Sequence, residues 1–218
     1  MDQGLLVRGL MLFVGFVALV TVHEFAHAWM ATRCGDDTPR LQGRLTLDPL
    51  AHIDWLGTLL LPLIVTFLGA AGGRMLLFGW GRPVEVNLAN FHRRRLDDIL
   101  VSSAGPAMNV ISAVAILGVT RLVDWGGGDS FVEAGLELAR LSLFLCFFNL
   151  LPIPPLDGGH ILRNLIGLSD EAYRLLSQFS FLLLIVLIQI PAIQVFLATL
   201  TDLALALLAL PFGWNLLG

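Results

Sequence analysis

Two histidines stand four residues apart with a glutamate directly after the first, in Thr21-Val-His23-Glu24-Phe-Ala-His27-Ala. On an α-helix that spacing places both imidazoles on one face, about a turn apart. The pair suits two nitrogen ligands of a tetrahedral zinc ion, and the adjacent Glu24 is left free as a general base for water. The pattern could also arise by chance on a solvated helix face, but here the surrounding helix is continuously apolar. A carboxylate near hydrocarbon costs about 2.5 to 3.5 kcal/mol on insertion scales, and a bound dication would offset that cost.

Two histidines leave the shell short, because catalytic zinc sites usually take a third protein ligand and keep the fourth position for water. The remaining histidines are His52, His92 and His160. The acid that stands out is Asp157, in Phe148-Asn149-Leu-Leu-Pro-Ile-Pro-Pro-Leu-Asp157-Gly158-Gly159. Three prolines unwind the end of an apolar helix there, and two glycines permit a close, irregular backbone. An Asp could then be offered at membrane depth, although an Asp-Gly turn at a membrane surface reads the same residues differently.

The elements that must position these groups are membrane helices. Of 218 residues, 56% are hydrophobic and 14% charged, with a mean hydropathy of +0.81, which excludes an ordinary soluble domain. Candidate membrane segments are Leu5 to Ala31, Leu56 to Gly72, Ile99 to Leu122, Phe131 to Pro152, Tyr173 to Ile190 and Ala192 to Leu210, each near the length that crosses about 30 Å. The expected fold is an all-α integral membrane protein of five to six segments, with residues 1–218 forming one membrane-embedded domain. The acidic start, Met1-Asp2-Gln3-Gly4, and the absence of a small-residue cleavage site read as a retained helix rather than a signal peptide. The net charge of −4, with no large basic block, argues against a nucleic-acid ligand. Cys34 and Cys146 lack CxxC spacing, so neither a disulfide framework nor a thiolate metal site is indicated.

All thirteen cationic residues are arginines, and their positions test the topology. With six full crossings, Arg33, Arg40 and Arg44 would lie opposite Arg74, Arg82 and Arg93 to Arg95. If Leu56 to Gly72 instead dips in and returns, all eight share one side with Arg163 and Arg174. The segment is short, contains Pro62 and ends Gly-Ala-Ala-Gly-Gly, as a re-entrant element covered by protein can. This arrangement also brings the ends of the first and fourth helices, with His27 and Asp157, to the same cytoplasmic side. Between the second and third segments, Phe78-Gly-Trp-Gly-Arg-Pro83-Val84-Glu85-Val86-Asn87 alternates after glycine punctuation, which predicts a short edge strand or hairpin near residues 78–87.

In these motifs, together with Gly43-Arg-Leu-Thr-Leu-Asp-Pro-Leu-Ala-His-Ile-Asp54 and Ser103-Ala-Gly-Pro106 followed by Asn109, the chain resembles the site-2 protease family of intramembrane zinc metalloproteases. The resemblance runs from Thr21 to about Leu165 and is to the compact form without PDZ or CBS domains; no PDZ-like insert lies between the third and fourth helices. It implies one zinc ion held by His23, His27 and Asp157, with Glu24 as base. It also implies that Asn149 binds the substrate backbone or the developing oxyanion. The expected activity is regulated intramembrane proteolysis of transmembrane protein substrates, within the lipid bilayer of a prokaryotic inner or plasma membrane, the site facing the cytoplasm. His160 departs from many relatives after the two glycines.

From the residues themselves, Pro83 to Asn87 could capture an unwound substrate by β-augmentation or simply pair within its own hairpin. Asn149 could instead cap carbonyls freed near Pro152, and Ser103 to Pro106 with Asn109 reads as close helix packing. His52, between Asp48 and Asp54, is either a partner of the site or a rim residue, and His92 beside Arg93 to Arg95 faces anionic headgroups. A metal-ion transporter would also place histidines and acids in membrane helices. It has no need of a free Glu beside two ligands, nor of a strand. A non-catalytic binder of membrane segments is the third reading, and the oligomeric state is open.

Overall fold

The computed structural model describes residues 3–64, 79–124 and 129–216. Its order is α1 (Gln3–Arg33), α2 (Thr38–Leu41), α3 (Trp55–Ile64), α4 (Arg94–Asp124), α5 (Asp129–Asn149), α6 (Asp157–Ile166), α7 (Asp170–Ile188) and α8 (Pro191–Ala209). No strand occurs among the described residues, so the all-helical expectation holds for them. Three helices are long and apolar enough to cross a membrane: Leu6–Arg33, Arg94–Asp124 and Pro191–Phe212. Asp170–Ile188 makes a fourth if its halves, bent by 56°, form one span.

The fourth expected segment is a helix, α5, but it falls short on charge, because Glu133, Glu137 and Arg140 recur within its apolar run. Two of those charges are neutralised by neighbours: Arg8 of α1 pairs with Glu137, and Arg140 lies 2.6 Å from Asp202 of α8. Paired with opposite charges on neighbouring helices, such groups lose part of their insertion penalty.

Directions in the core follow from the contacts. Arg8 meets Glu137, Phe16 and Val20 pack on Leu145, and His23 meets Asp157, so α1 and α5 run parallel. Ile116 packs against the Phe16 cluster while Val101 and Phe91 pack on Ala31 and Cys34, so α4 runs antiparallel to α1. The Ser142 hydroxyl donates to the Asn109 carbonyl at 2.7 Å, tying α4 to α5 at mid-height.

The chain therefore leaves α1 and enters α4 at the same end of the bundle, where the His92 amide donates to the Cys34 carbonyl at 3.1 Å. α1 ends at Arg33 and the chain turns through Gly35, whose φ of 102° is in the left-handed region that glycine tolerates. Of the expected segment Leu56 to Gly72, residues 56–64 are helical and begin as a π-helix capped by the Asp54 carboxylate, which accepts from the Leu56 and Gly57 amides. Residues 65–72 lie outside the described residues, as does Phe78.

The edge strand expected at 78–87 is not seen: residues 79–87 carry no regular secondary structure. The alternation of Val84, Glu85 and Val86 is real, but the backbone is held by other groups. The Trp80 amide donates to the Gly57 carbonyl at 3.1 Å and the Arg82 amide to the His52 carbonyl at 2.8 Å. The Val84 amide donates to Glu24 at 3.1 Å, the Asn87 amide donates to Asp36 at 2.7 Å, and Arg44 reaches the carbonyls of Ala51, Arg82 and Pro83. A run pinned by five different partners has no ladder to join.

Asp36 is the firmest of these pins. Fully buried, it accepts from the Thr38 hydroxyl at 2.6 Å, the Asn90 amide at 2.8 Å and the Thr38 backbone at 3.1 Å, besides Asn87. Burial alone would raise its pKa, but these donors hold it below the ordinary carboxylate value. A depressed carboxyl adds stability that is present above its unfolded pKa of about 3.9 and is lost as pH falls through the folded value. Asp36→Asn sets an amide donor against the Asn87 or Asn90 donor. It should lower stability at pH 7 by about 1.5 to 3 kcal/mol and flatten the loss of stability below about pH 4, as measured by thermal unfolding in detergent.

Candidate active site

The first pair of candidate ligands is built by helix periodicity. His23 and His27 both turn into the bundle, 6% and 8% exposed, with their Nε2 atoms 3.0 Å apart. The His27 Nδ1 lies 2.7 Å from the Val101 carbonyl on α4. A carbonyl can only accept, so Nδ1 carries the proton and Nε2 presents its lone pair, the usual device by which a ligating histidine is oriented.

The third group arrives from the other parallel helix. After α5 the segment Pro152 to Leu156 breaks the helix, and α6 restarts at Asp157, whose carboxylate occupies a first turn that favours negative charge. Gly158 and Gly159 belong to that helix rather than to an irregular loop. Their hydrogens face the carbonyls of Leu150, Leu151 and Ile153, where a Cβ would overlap, so glycine is what lets α6 start this close to the end of α5. Asp157 thereby straddles the imidazoles: Oδ2 is 3.3 Å from His23 Nε2 and Oδ1 is 3.3 Å from His27 Nε2.

These donors fit a metal ion. Ligands of a tetrahedral zinc at about 2.0 to 2.1 Å stand roughly 3.3 Å from one another, which matches the separations seen. The His27 Nε2 lone pair faces His23 Nε2 at 3.0 Å and the Asp157 carboxylate at 3.3 Å, a convergence of nitrogen and oxygen that suits a cation. Asp157 Oδ2 and His23 Nδ1 find no hydrogen-bond partner among the described residues. Among those residues, His23, His27 and Asp157 form the one cluster able to hold an ion.

Glu24 shares their cavity, which is about 460 Å³ in volume and is lined also by Trp80, Pro83, Val84, Val86, Asn109 and Asn149. Its Oε2 accepts the Val84 amide, which fixes the carboxylate and leaves Oε1 without a hydrogen-bond partner among the described residues. Of the five residues expected to contact substrate, Pro83, Val84 and Val86 line the cavity. Glu85 turns to Gln42, 2.9 Å away, and Asn87 is committed to Asp36 and Ala89. Asn149 lines the cavity and gives one amide hydrogen to the Leu145 carbonyl at 2.9 Å, one turn back within α5 rather than to a carbonyl freed near Pro152. His52 lies apart from the cavity lining and receives the Arg82 amide on its carbonyl, while its Nε2 sits 2.9 Å from the Thr46 carbonyl. His160 lines the cavity with Nδ1 3.6 Å from the buried Asp98.

One contributor was hidden in the small-residue run of α4. A Cβ on Gly105 would lie 2.6 Å from His23 Nε2 and closer still to His27 Nε2, so its hydrogen is the wall against which both ligand atoms rest. Gly105→Ala should keep the helix and weaken metal binding by about 10- to 100-fold, the range seen when the support of a ligand is lost. Competition with a zinc chelator of known affinity measures it.

The model of peptidase family M50 matches residues 11–135 and 128–187. The protein of Bacillus subtilis named "Putative zinc metalloprotease YwhC" is 41% identical over 165 residues, covering 71% of this chain and 68% of that protein. "Putative zinc metalloprotease Rip2" of Mycolicibacterium smegmatis is 34% identical over 189 residues, covering 85% and 69%. The Rip2 of Mycobacterium tuberculosis strain H37Rv is 35% identical over 188 residues, covering 84% and 68%. No solved structure matches the chain at a significant level. The motifs on α1 and at the start of α6, the cavity they share and these matches lead to one conclusion: the chain belongs to peptidase family M50.

Proposed function

We propose that this protein is an intramembrane zinc metalloprotease that hydrolyses peptide bonds in or near transmembrane segments of other proteins. The observation that carries the reading is the meeting of His23, His27 and Asp157 with Glu24 in one cavity between apolar helices. His23, His27 and Asp157 would hold one zinc ion. When bound, zinc supplies Lewis acidity, which polarises a carbonyl and acidifies water.

The remaining work falls to the chain. Glu24 Oε1 accepts a proton from the attacking water and returns it to the leaving amine, as a carboxylate held within the cavity can. The Val84 amide keeps that carboxylate aimed while the proton moves. Asn149 retains Oδ1 and one amide hydrogen for the substrate backbone. A helical substrate must unwind before its carbonyl is accessible. The backbone amide of Val86 donates to nothing among the described residues and, in an extended run, points to the same edge as the Val84 amide, so an unwound strand can pair there. Pro83 to Asn87 would then form a strand only with substrate in place.

The antiparallel pairing of α1 and α4 supports a segment 34–93 that enters and leaves on one side, with the α3 region re-entrant. With Arg40, Arg44, Arg82 and Arg93 on that stretch and Arg33, Arg94 and Arg95 beside its ends, the side is cytoplasmic, and the membrane is the prokaryotic inner or plasma membrane. Five crossings or fewer then suffice. The test is reconstitution of the purified chain in proteoliposomes with a membrane-spanning reporter. Cleavage that stops on chelation and returns with zinc supports the reading, whereas zinc flux without cleavage would favour a transporter.

A further inference from the structure

We propose that the side-chain amide of Asn109 binds the substrate backbone beside the scissile bond. The inference rests on the protease reading and adds a contact from α4 that its expected machinery lacks. Asn109 is 1% exposed, yet neither its Nδ2 nor its Oδ1 has a hydrogen-bond partner among the described residues. A carboxamide offers two donors and two acceptor lone pairs, and buried polar side chains are paired in the large majority of cases. Leaving a whole amide unpaired is destabilising, so its retention calls for a partner that comes and goes.

Position says which partner. Asn109 lies four residues after Gly105, hence on the same helix face and about 6 Å farther along α4 from the turn that touches both imidazoles. It lines the same cavity. Ser142, the neighbouring polar group on α5, spends its hydroxyl on the Asn109 backbone carbonyl, which fixes the residue in place without satisfying its side chain. A peptide group presents one carbonyl and one N–H, the complement of a carboxamide. Asn149 is half-buried and has already given one hydrogen to Leu145, whereas Asn109 offers its full capacity in a drier place, where each hydrogen bond counts for more.

The test uses the zinc-loaded full chain and two probes: a hydroxamate carrying two peptide bonds between apolar residues, and acetohydroxamate, which has no backbone to bind. In Asn109→Leu, affinity for the peptidyl probe should fall about tenfold or more. Affinity for acetohydroxamate should be unchanged. The unfolding midpoint should rise, because an unpaired amide has been replaced by an apolar side chain of similar size. A structural role would lower the midpoint and weaken both probes together, which overturns the proposal, as does unchanged peptidyl binding. If Asn109→Leu does not fold, Asn109→Ala is read by the same comparison of probes. If acetohydroxamate fails to bind the wild-type protein, the protease reading falls and takes the Asn109 role with it.

Discussion

A Glu24→Gln protein is expected to keep its zinc and to cleave a membrane-spanning reporter about 10²- to 10⁴-fold more slowly, the range a general base contributes. The substitution is nearly isosteric, and the glutamine oxygen can still accept the Val84 amide that the carboxylate accepts at 3.1 Å. The cavity wall and the three ligands are left as they were. What disappears is basicity, so the loss should fall on kcat rather than on metal content or reporter binding. Equal cleavage by the variant would remove Glu24 from the mechanism.

Asp157→Ala should act one step earlier. The carboxylate is the one anionic member of the ligand cluster, and it touches both imidazoles at 3.3 Å. Without it two neutral nitrogens must hold a dication in a cavity between apolar helices. Loss of a partner that merely supports a ligand costs about 10- to 100-fold in affinity, and loss of a ligand costs more. Purified Asp157→Ala should therefore carry well under about one-tenth of the wild-type zinc and show no cleavage. Elemental analysis measures the first and the reporter assay the second. The contrast between the two variants, one metal-replete and inactive, the other metal-poor and inactive, separates proton transfer from metal binding.

How much of this was legible in the sequence depended on whether a signal was local. His23, Glu24 and His27 are fixed by one helical turn, and periodicity alone places the two imidazoles on one face. Asp157 lies 130 residues from His27 in the chain, and the two meet because α1 and α5 run parallel, as the arginine distribution implied. The strand at Pro83 to Asn87 misled because alternating side chains report which face is apolar, not which groups hold the backbone. Here the holders are Glu24, Asp36 and the His52 carbonyl, which are distant in sequence and of types that carry no strand signal. Gly105 and Asn109 looked like packing residues because a glycine in an apolar helix usually is one. Its closeness to the ligand atoms emerges only when α1 and α4 are docked.

α5 shows the opposite limit. Its hydrophobicity is genuine, but whether Glu137 and Arg140 bar it from the membrane depends on Arg8 and Asp202, which lie on other helices. Sequence windows count charges and cannot see their partners.

Zinc K-edge X-ray absorption on the purified, zinc-loaded protein tests the central claim most directly. The account predicts a four-coordinate shell of nitrogen and oxygen at about 2.0 to 2.2 Å, with imidazole multiple scattering that weakens in His23→Ala. A sulfur shell near 2.3 Å, or an oxygen-only shell indifferent to His23, would contradict it.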